Sequence, residues 1–127
     1  MLTFGHFFAV GVGAALGAIS RWLLGIWLNQ AHVILPWGTL AANLIGGYLI
    51  GVALGALILY PSTPEWLKLL ITTGFLGGLT TFSTFSAETV GLLERGAYVS
   101  AFGYAGVSLI GTFALTALGL ATMHALR

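Results

Sequence analysis

Residues 37–60 read WGTLAANLIGGYLIGVALGALILY, an apolar run without a single charge. A helix that crosses the hydrocarbon of a bilayer needs about 20 such residues, so the run reads as a membrane span. The rest of the chain repeats the pattern. Its charged residues are Arg21, Glu65, Lys68, Glu88, Glu94, Arg95 and Arg127, which leaves 1–20, 22–64, 69–87 and 96–124 uncharged. Asn29-Gln30-Ala31-His32 and Pro36 interrupt the second of these stretches just before residue 37. The reading is an all-α integral membrane protein, one domain over 1–127, with transmembrane helices at about 4–28, 37–60, 66–93 and 98–124.

Composition supports this and narrows the function. Of 127 residues, 58% are hydrophobic and 6% charged, against about 25% charged in a soluble domain. The chain cannot coat a water-facing surface. Four basic residues do not make a nucleic-acid patch. Cysteines are absent, so disulfide and thiolate chemistry drop out. Before the first apolar run, residues 1–8 offer only His6; a cleaved secretory signal wants basic residues there, and an uncleaved first helix is expected. Pro61-Ser62-Thr63-Pro64 breaks the chain between spans. Trp22, Trp27, Trp37, Tyr60, Trp66 and Tyr98 sit near span ends, where amphipathic rings favour the interface. Lys68 and Arg127 fall on one side of a four-span chain, Arg21 and Arg95 toward the other. The positive-inside bias is therefore balanced, which permits insertion in both orientations and antiparallel self-pairing.

Polar residues inside the spans carry the rest. In the second helix Thr39, Asn43, Gly47, Gly51 and Gly55 recur every four residues, a stripe that drifts about 40° per step. Its glycines suit close helix packing; Asn43 either bonds a neighbouring helix or lines a pathway. The fourth helix carries Ser100, Tyr104, Ser108, Thr112 and Thr116 at the same interval, a polar strip that must face protein or a water-bearing groove.

The third helix reads Gly74-Phe75-Leu76-Gly77-Gly78-Leu79-Thr80-Thr81-Phe82-Ser83-Thr84-Phe85-Ser86. Glycines and paired threonines at mid-span disfavour unbroken helix, so a break at its centre is expected. A break exposes carbonyls suited to a cation and amides suited to an anion. Phe82 and Phe85 share a face, either as packing or with their positive ring edges turned to an anion. Arg21 and Glu88 lie late in their helices, where each can snorkel. His6, His32 and His124 sit near span ends as interfacial bystanders. No carboxylate pair, metal-ligand cluster or nucleophile–His–acid set appears, and the Gly-rich stretch lacks the Lys of a phosphate loop. Nothing in this inventory argues for an enzyme.

Gly17-Ala18-Ile19-Ser20-Arg21-Trp22, Gly38-Thr39-Leu40-Ala41-Ala42-Asn43 and the third-helix run resemble the Fluc/CrcB fluoride ion channels over the whole chain. The resemblance implies a dual-topology, antiparallel homodimer in the bacterial inner membrane. Its two interfacial pores would let fluoride leave the cytoplasm passively and protect the cell from fluoride toxicity. The pathway it implies takes in Thr39, Asn43, Phe82, Ser83, Thr84, Phe85, Tyr104, Ser108 and Thr112, with Arg21 and Glu88 at the vestibules. It also implies a structural Na⁺ at the dimer centre, on main-chain carbonyls of Gly77 and Thr80. Independently, a small, strongly hydrated anion needs serial neutral donors rather than a fixed cation that would hold it. A proton-coupled drug exporter of similar architecture would need a mid-membrane carboxylate, ideally in the first helix, which has none. A non-transporting subunit would leave the fourth-helix strip unexplained.

Overall fold

A computed structural model describes residues 2–29 and 34–126; it is all-helical, with four segments long and apolar enough to cross a membrane. Helix α1 spans Phe4–Leu28 and α2 Trp37–Leu59. The third segment is composite: α3, Glu65–Lys68; a wider π-helical stretch, Leu69–Leu76; α4, Gly77–Leu79; and α5, Ser83–Glu94. Helix α6 covers Tyr98–Ala125. His32, most of the polar run at 29–32, and Arg127 lie outside the described residues.

Local chemistry sets the ends. Thr3 starts α1 by accepting the His6 amide on its hydroxyl at 3.1 Å, a side-chain N-cap. Asn29, at the end of α1, accepts the Gly38 amide at 2.6 Å on its side chain and so caps the opening turn of α2. After α5 the chain reverses in three residues. Gly96 adopts φ +77, a left-handed conformation open to glycine. The amides of Gly96 and Ala97 reach back to the Leu93 and Leu92 carbonyls at 3.0 and 2.9 Å, closing the helix end in the Schellman manner.

Packing follows small residues. A Cβ at Gly13 would meet the Leu70 carbonyl and Gly74, and one at Gly17 would meet the Phe75 carbonyl and Gly78. Two small-xxx-small rows, Gly13/Gly17 and Gly74/Gly78, thus interleave and seat α1 on the third segment. On the other side α2 lies along α6. A Cβ at Gly51 would meet the Thr116 carbonyl, one at Gly55 the Met123 side chain, and one at Gly119 the Tyr48 carbonyl. The four-residue stripe of α2 is therefore its seam with α5 and α6. Large apolar side chains point outward, among them Phe4, Phe8, Ile19, Val99, Phe102 and Ile110. For a chain this poor in charge, that outward surface belongs in lipid.

Regular helix stops at Leu79 and resumes at Ser83. Thr80 is extended at φ -87, ψ 154. Upstream, the Gly77 amide reaches the carbonyls of Thr72 and Gly74, and the Thr72 hydroxyl donates to the Lys68 carbonyl at 2.6 Å. Such local bonds of threonine to its own backbone loosen the regular ladder.

Candidate functional site

Beside the interruption lies an open groove of about 560 Å³, walled by α2, the third segment and α6. Its lining brings together Asn43, Gly77, Thr80, Phe82, Phe85, Ser108 and Thr112 from the sequence reading, and adds Thr72 and Thr81. None of the groove-lining residues is charged.

Asn43 reaches the interruption from α2 and uses both halves of its amide. Its Nδ2 donates to the Thr81 carbonyl at 3.1 Å, and its Oδ1 accepts the Thr81 amide at 2.8 Å. The Thr81 hydroxyl in turn accepts the Thr84 amide at 3.1 Å, which starts α5. In a continuous helix those two amides would bond the carbonyls four residues back, those of Gly77 and Thr80. Both carbonyls have lost their helical donors to side chains. Arg21, from α1, donates through Nε to the Gly78 carbonyl at 3.2 Å. A cation at the carbonyl end of a helical segment complements its dipole, so Arg21 holds the protein interior here instead of snorkelling.

The hydroxyls of the fourth-helix strip differ in their fates. Ser108 is 6% exposed, and its Oγ has no hydrogen-bond partner among the described residues. Thr112 lies on the groove and against Gly47. Thr116 turns away, donating to the Gly47 carbonyl at 2.8 Å and sharing with that of Thr112 at 3.0 Å. Tyr104 and Thr39 form a separate cluster on Glu88. The Tyr104 hydroxyl donates to Oε1 and the Thr39 hydroxyl to Oε2, both at 2.9 Å. Glu88 is thereby held by two spans other than its own.

An aromatic ladder links cluster and groove. The Phe85 ring lies 5.3 Å from Tyr104 and 5.8 Å from Phe82, both pairs tilted by about 50°, which suits rings that offer an edge to a face. Phe82 is 80% exposed on the single chain. Ser83 and Thr84 lie in the first turn of α5, where Ser83 Oγ stands 3.4 Å from Thr81 Oγ1, outside the groove lining. Sequence reasoning missed Thr81 and Thr72 as groove residues. The paired threonines were visible, but which of them capped a helix depended on where the helix stopped.

The fold and the groove together define a multi-pass helical membrane protein with a polar-studded, charge-free cleft between its spans. The chain belongs to the CrcB family: the model described as CrcB-like protein, Camphor Resistance (CrcB), matches residues 8–120. It is 66% identical over 122 residues to the fluoride-specific ion channel FluC of Bordetella petrii, covering 96% of this chain and 94% of that one. The protein of the same name from Bordetella avium is 65% identical over 119 residues, covering 94% and 93%. That of Chromohalobacter salexigens is 53% identical over 120 residues, covering 94% and 90%.

Proposed function

We propose that this chain is a fluoride-specific ion channel, passive and not an enzyme, that lets fluoride leave the bacterial cytoplasm across the inner membrane. Two copies pair antiparallel, and their grooves become two pores along the interface. Its relatives in Bordetella petrii and Bordetella avium, named fluoride-specific ion channels, support the ion. The observation that carries the reading is the buried Ser108 hydroxyl, unpartnered among the described residues, on a groove wall with Thr112, Asn43, Phe82 and Phe85. A buried polar group without a partner is costly, and a passing anion would accept its proton.

The same wall explains why flow and not tight binding is favoured. Hydroxyls, an amide and ring edges can replace a hydration shell stepwise, and a lining without Lys or Arg lets the ion go. The pathway continues past Phe85 to Tyr104 and Thr39, where Glu88 draws both hydroxyl protons to itself in the resting arrangement. Arg21 acts on the backbone of the interruption. A sodium ion at the dimer centre fits the donor set. The Gly77 and Thr80 carbonyls, stripped of their helical amides, are hard oxygen donors of the kind unwound membrane helices offer Na⁺. When bound, sodium would supply a fixed positive charge joining the two copies.

The test is fluoride efflux from liposomes that contain only this protein, read with a fluoride-selective electrode. Wild type is expected to empty the vesicles, and Ser108→Ala to slow efflux while purifying as the same dimer. Unchanged efflux in Ser108→Ala would remove the hydroxyl from the pathway.

A further inference from the structure

We propose that Thr81 is a positioning residue for the cation site: its hydroxyl withholds the Thr84 amide and so keeps the Thr80 carbonyl free. The proposal rests on the sodium part of the function proposed above and adds to it a residue that never touches the ion.

From Leu76 to Thr81, the carbonyls of Leu76, Gly78 and Thr81 are each taken, and those of Gly77, Leu79 and Thr80 receive no helical amide among the described residues. Leu76 accepts the Thr80 amide at 3.0 Å and its hydroxyl at 2.8 Å. Gly78 accepts Arg21, and Thr81 accepts Asn43. Gly77 and Thr80 are different, because the amides that an α-helix would aim at them go to Asn43 Oδ1 and Thr81 Oγ1. The diversion at Gly77 is made by a neighbouring span. The one at Thr80 is made locally, over three residues, by a single hydroxyl. Thr80 is extended, which turns its carbonyl out of the helical direction. With the hydroxyl removed, the Thr84 amide is left without its acceptor, and its helical partner is the Thr80 carbonyl, so the change favours Thr80 folding back into the helix. An oxygen already bonded to an amide is a weaker ligand.

Other roles for Thr81 account for less. As a helix cap alone it would steady α5 and leave the cation indifferent. Its side chain borders the groove, and its hydroxyl, although it accepts the Thr84 amide, keeps a proton to donate to an anion; losing that role alone would slow fluoride flux and leave the sodium midpoint unchanged. Serine keeps the oxygen at the same reach, whereas valine keeps the β-branched shape and loses it.

The experiment compares full-length wild type, Thr81→Ser and Thr81→Val in detergent. Thermal unfolding is followed as sodium chloride replaces choline chloride at constant ionic strength. Wild type and Thr81→Ser should share one sodium midpoint, and Thr81→Val should need about tenfold more sodium, the scale of one lost preorganised bond. The ¹³C shift of the Thr80 carbonyl, read by NMR in choline, should move downfield in Thr81→Val alone as the amide returns. If Thr81→Val does not purify, Thr81→Ala replaces it, with the same expectation. A Thr81→Val protein that is less stable but keeps the wild-type sodium midpoint makes Thr81 a cap only and overturns the proposal, leaving sodium in place. A wild type that ignores sodium overturns both the cation reading and the role given to Thr81.

Discussion

Asn43 spends its amide on the backbone of another span, and this changes what its replacement should do. Asn43→Asp keeps an acceptor for the Thr81 amide but sets a carboxylate oxygen against the Thr81 carbonyl, where Nδ2 donated before. Leaving that carbonyl unmatched should cost about 1–3 kcal/mol of stability. The new negative charge on the groove should lower fluoride flux by at least about tenfold, since a like charge opposes an anion's entry. Liposome efflux and thermal unfolding of one preparation read both effects; full flux with normal stability would contradict the placement. Phe82 and Phe85 separate similarly. Phe82 makes one ring contact, to Phe85, and is otherwise exposed on the single chain, so Phe82→Ile should cost less than Phe85→Ile, about 1 kcal/mol at most. Phe85→Ile breaks two ring contacts and should cost about 0.5–1.5 kcal/mol. Both should slow efflux steeply if the ring edges face the ion, and wild-type rates in both would make the rings structural. Residue types were legible in advance: an amide at mid-span, paired rings, a hydroxyl strip. Partners were not. That Arg21 meets the Gly78 carbonyl, or that Tyr104 and Thr39 converge on Glu88, depends on how four helices are rotated about their axes.

Helices in lipid have no hydrophobic drive to associate, so close backbone approach decides how these elements fit. The glycines divide sharply on that criterion. A Cβ at Gly119 would collide with the Tyr48 carbonyl and approach Val52 N at 2.8 Å, whereas one at Gly11 would meet nothing within 4 Å. Gly119→Ala should therefore force α2 and α6 apart at about 1–3 kcal/mol. Gly11→Ala, on the lipid side of α1, should be neutral or slightly stabilising because alanine is the better helix former. Unfolding midpoints in one detergent decide it, and equal midpoints would contradict the packing. The four spans were readable because charge and proline punctuate them. The α2 glycine stripe announced a seam but not its partner. The Leu69–Leu76 stretch had no signal in the sequence, since a π-turn arises where threonine hydroxyls and a neighbouring backbone compete with the ordinary ladder.

At the scale of the whole molecule, the balance of Lys68 and Arg127 against Arg21 and Arg95 bears on assembly. If two antiparallel copies form the pores, a C-terminal tag should be found on both faces of the membrane. Adding two lysines to the 61–65 loop should bias insertion and reduce flux by depriving each copy of an inverted partner. A tag on one face only would make the balance a coincidence. The groove is open on its outer side, with Phe82 exposed beside it; under the proposed function a single chain would supply one wall of the pathway and the antiparallel copy the other. Sequence alone could raise that pairing through charge balance and resemblance, because interface geometry leaves no local pattern in one chain. The most direct measurement loads liposomes bearing only the purified protein with equal fluoride and chloride, and clamps voltage and pH with potassium and proton ionophores. Rapid fluoride efflux is expected, persisting without a proton gradient, while chloride stays inside. Fluoride retained in the vesicles, or released only when a proton gradient is imposed, would contradict the proposed function.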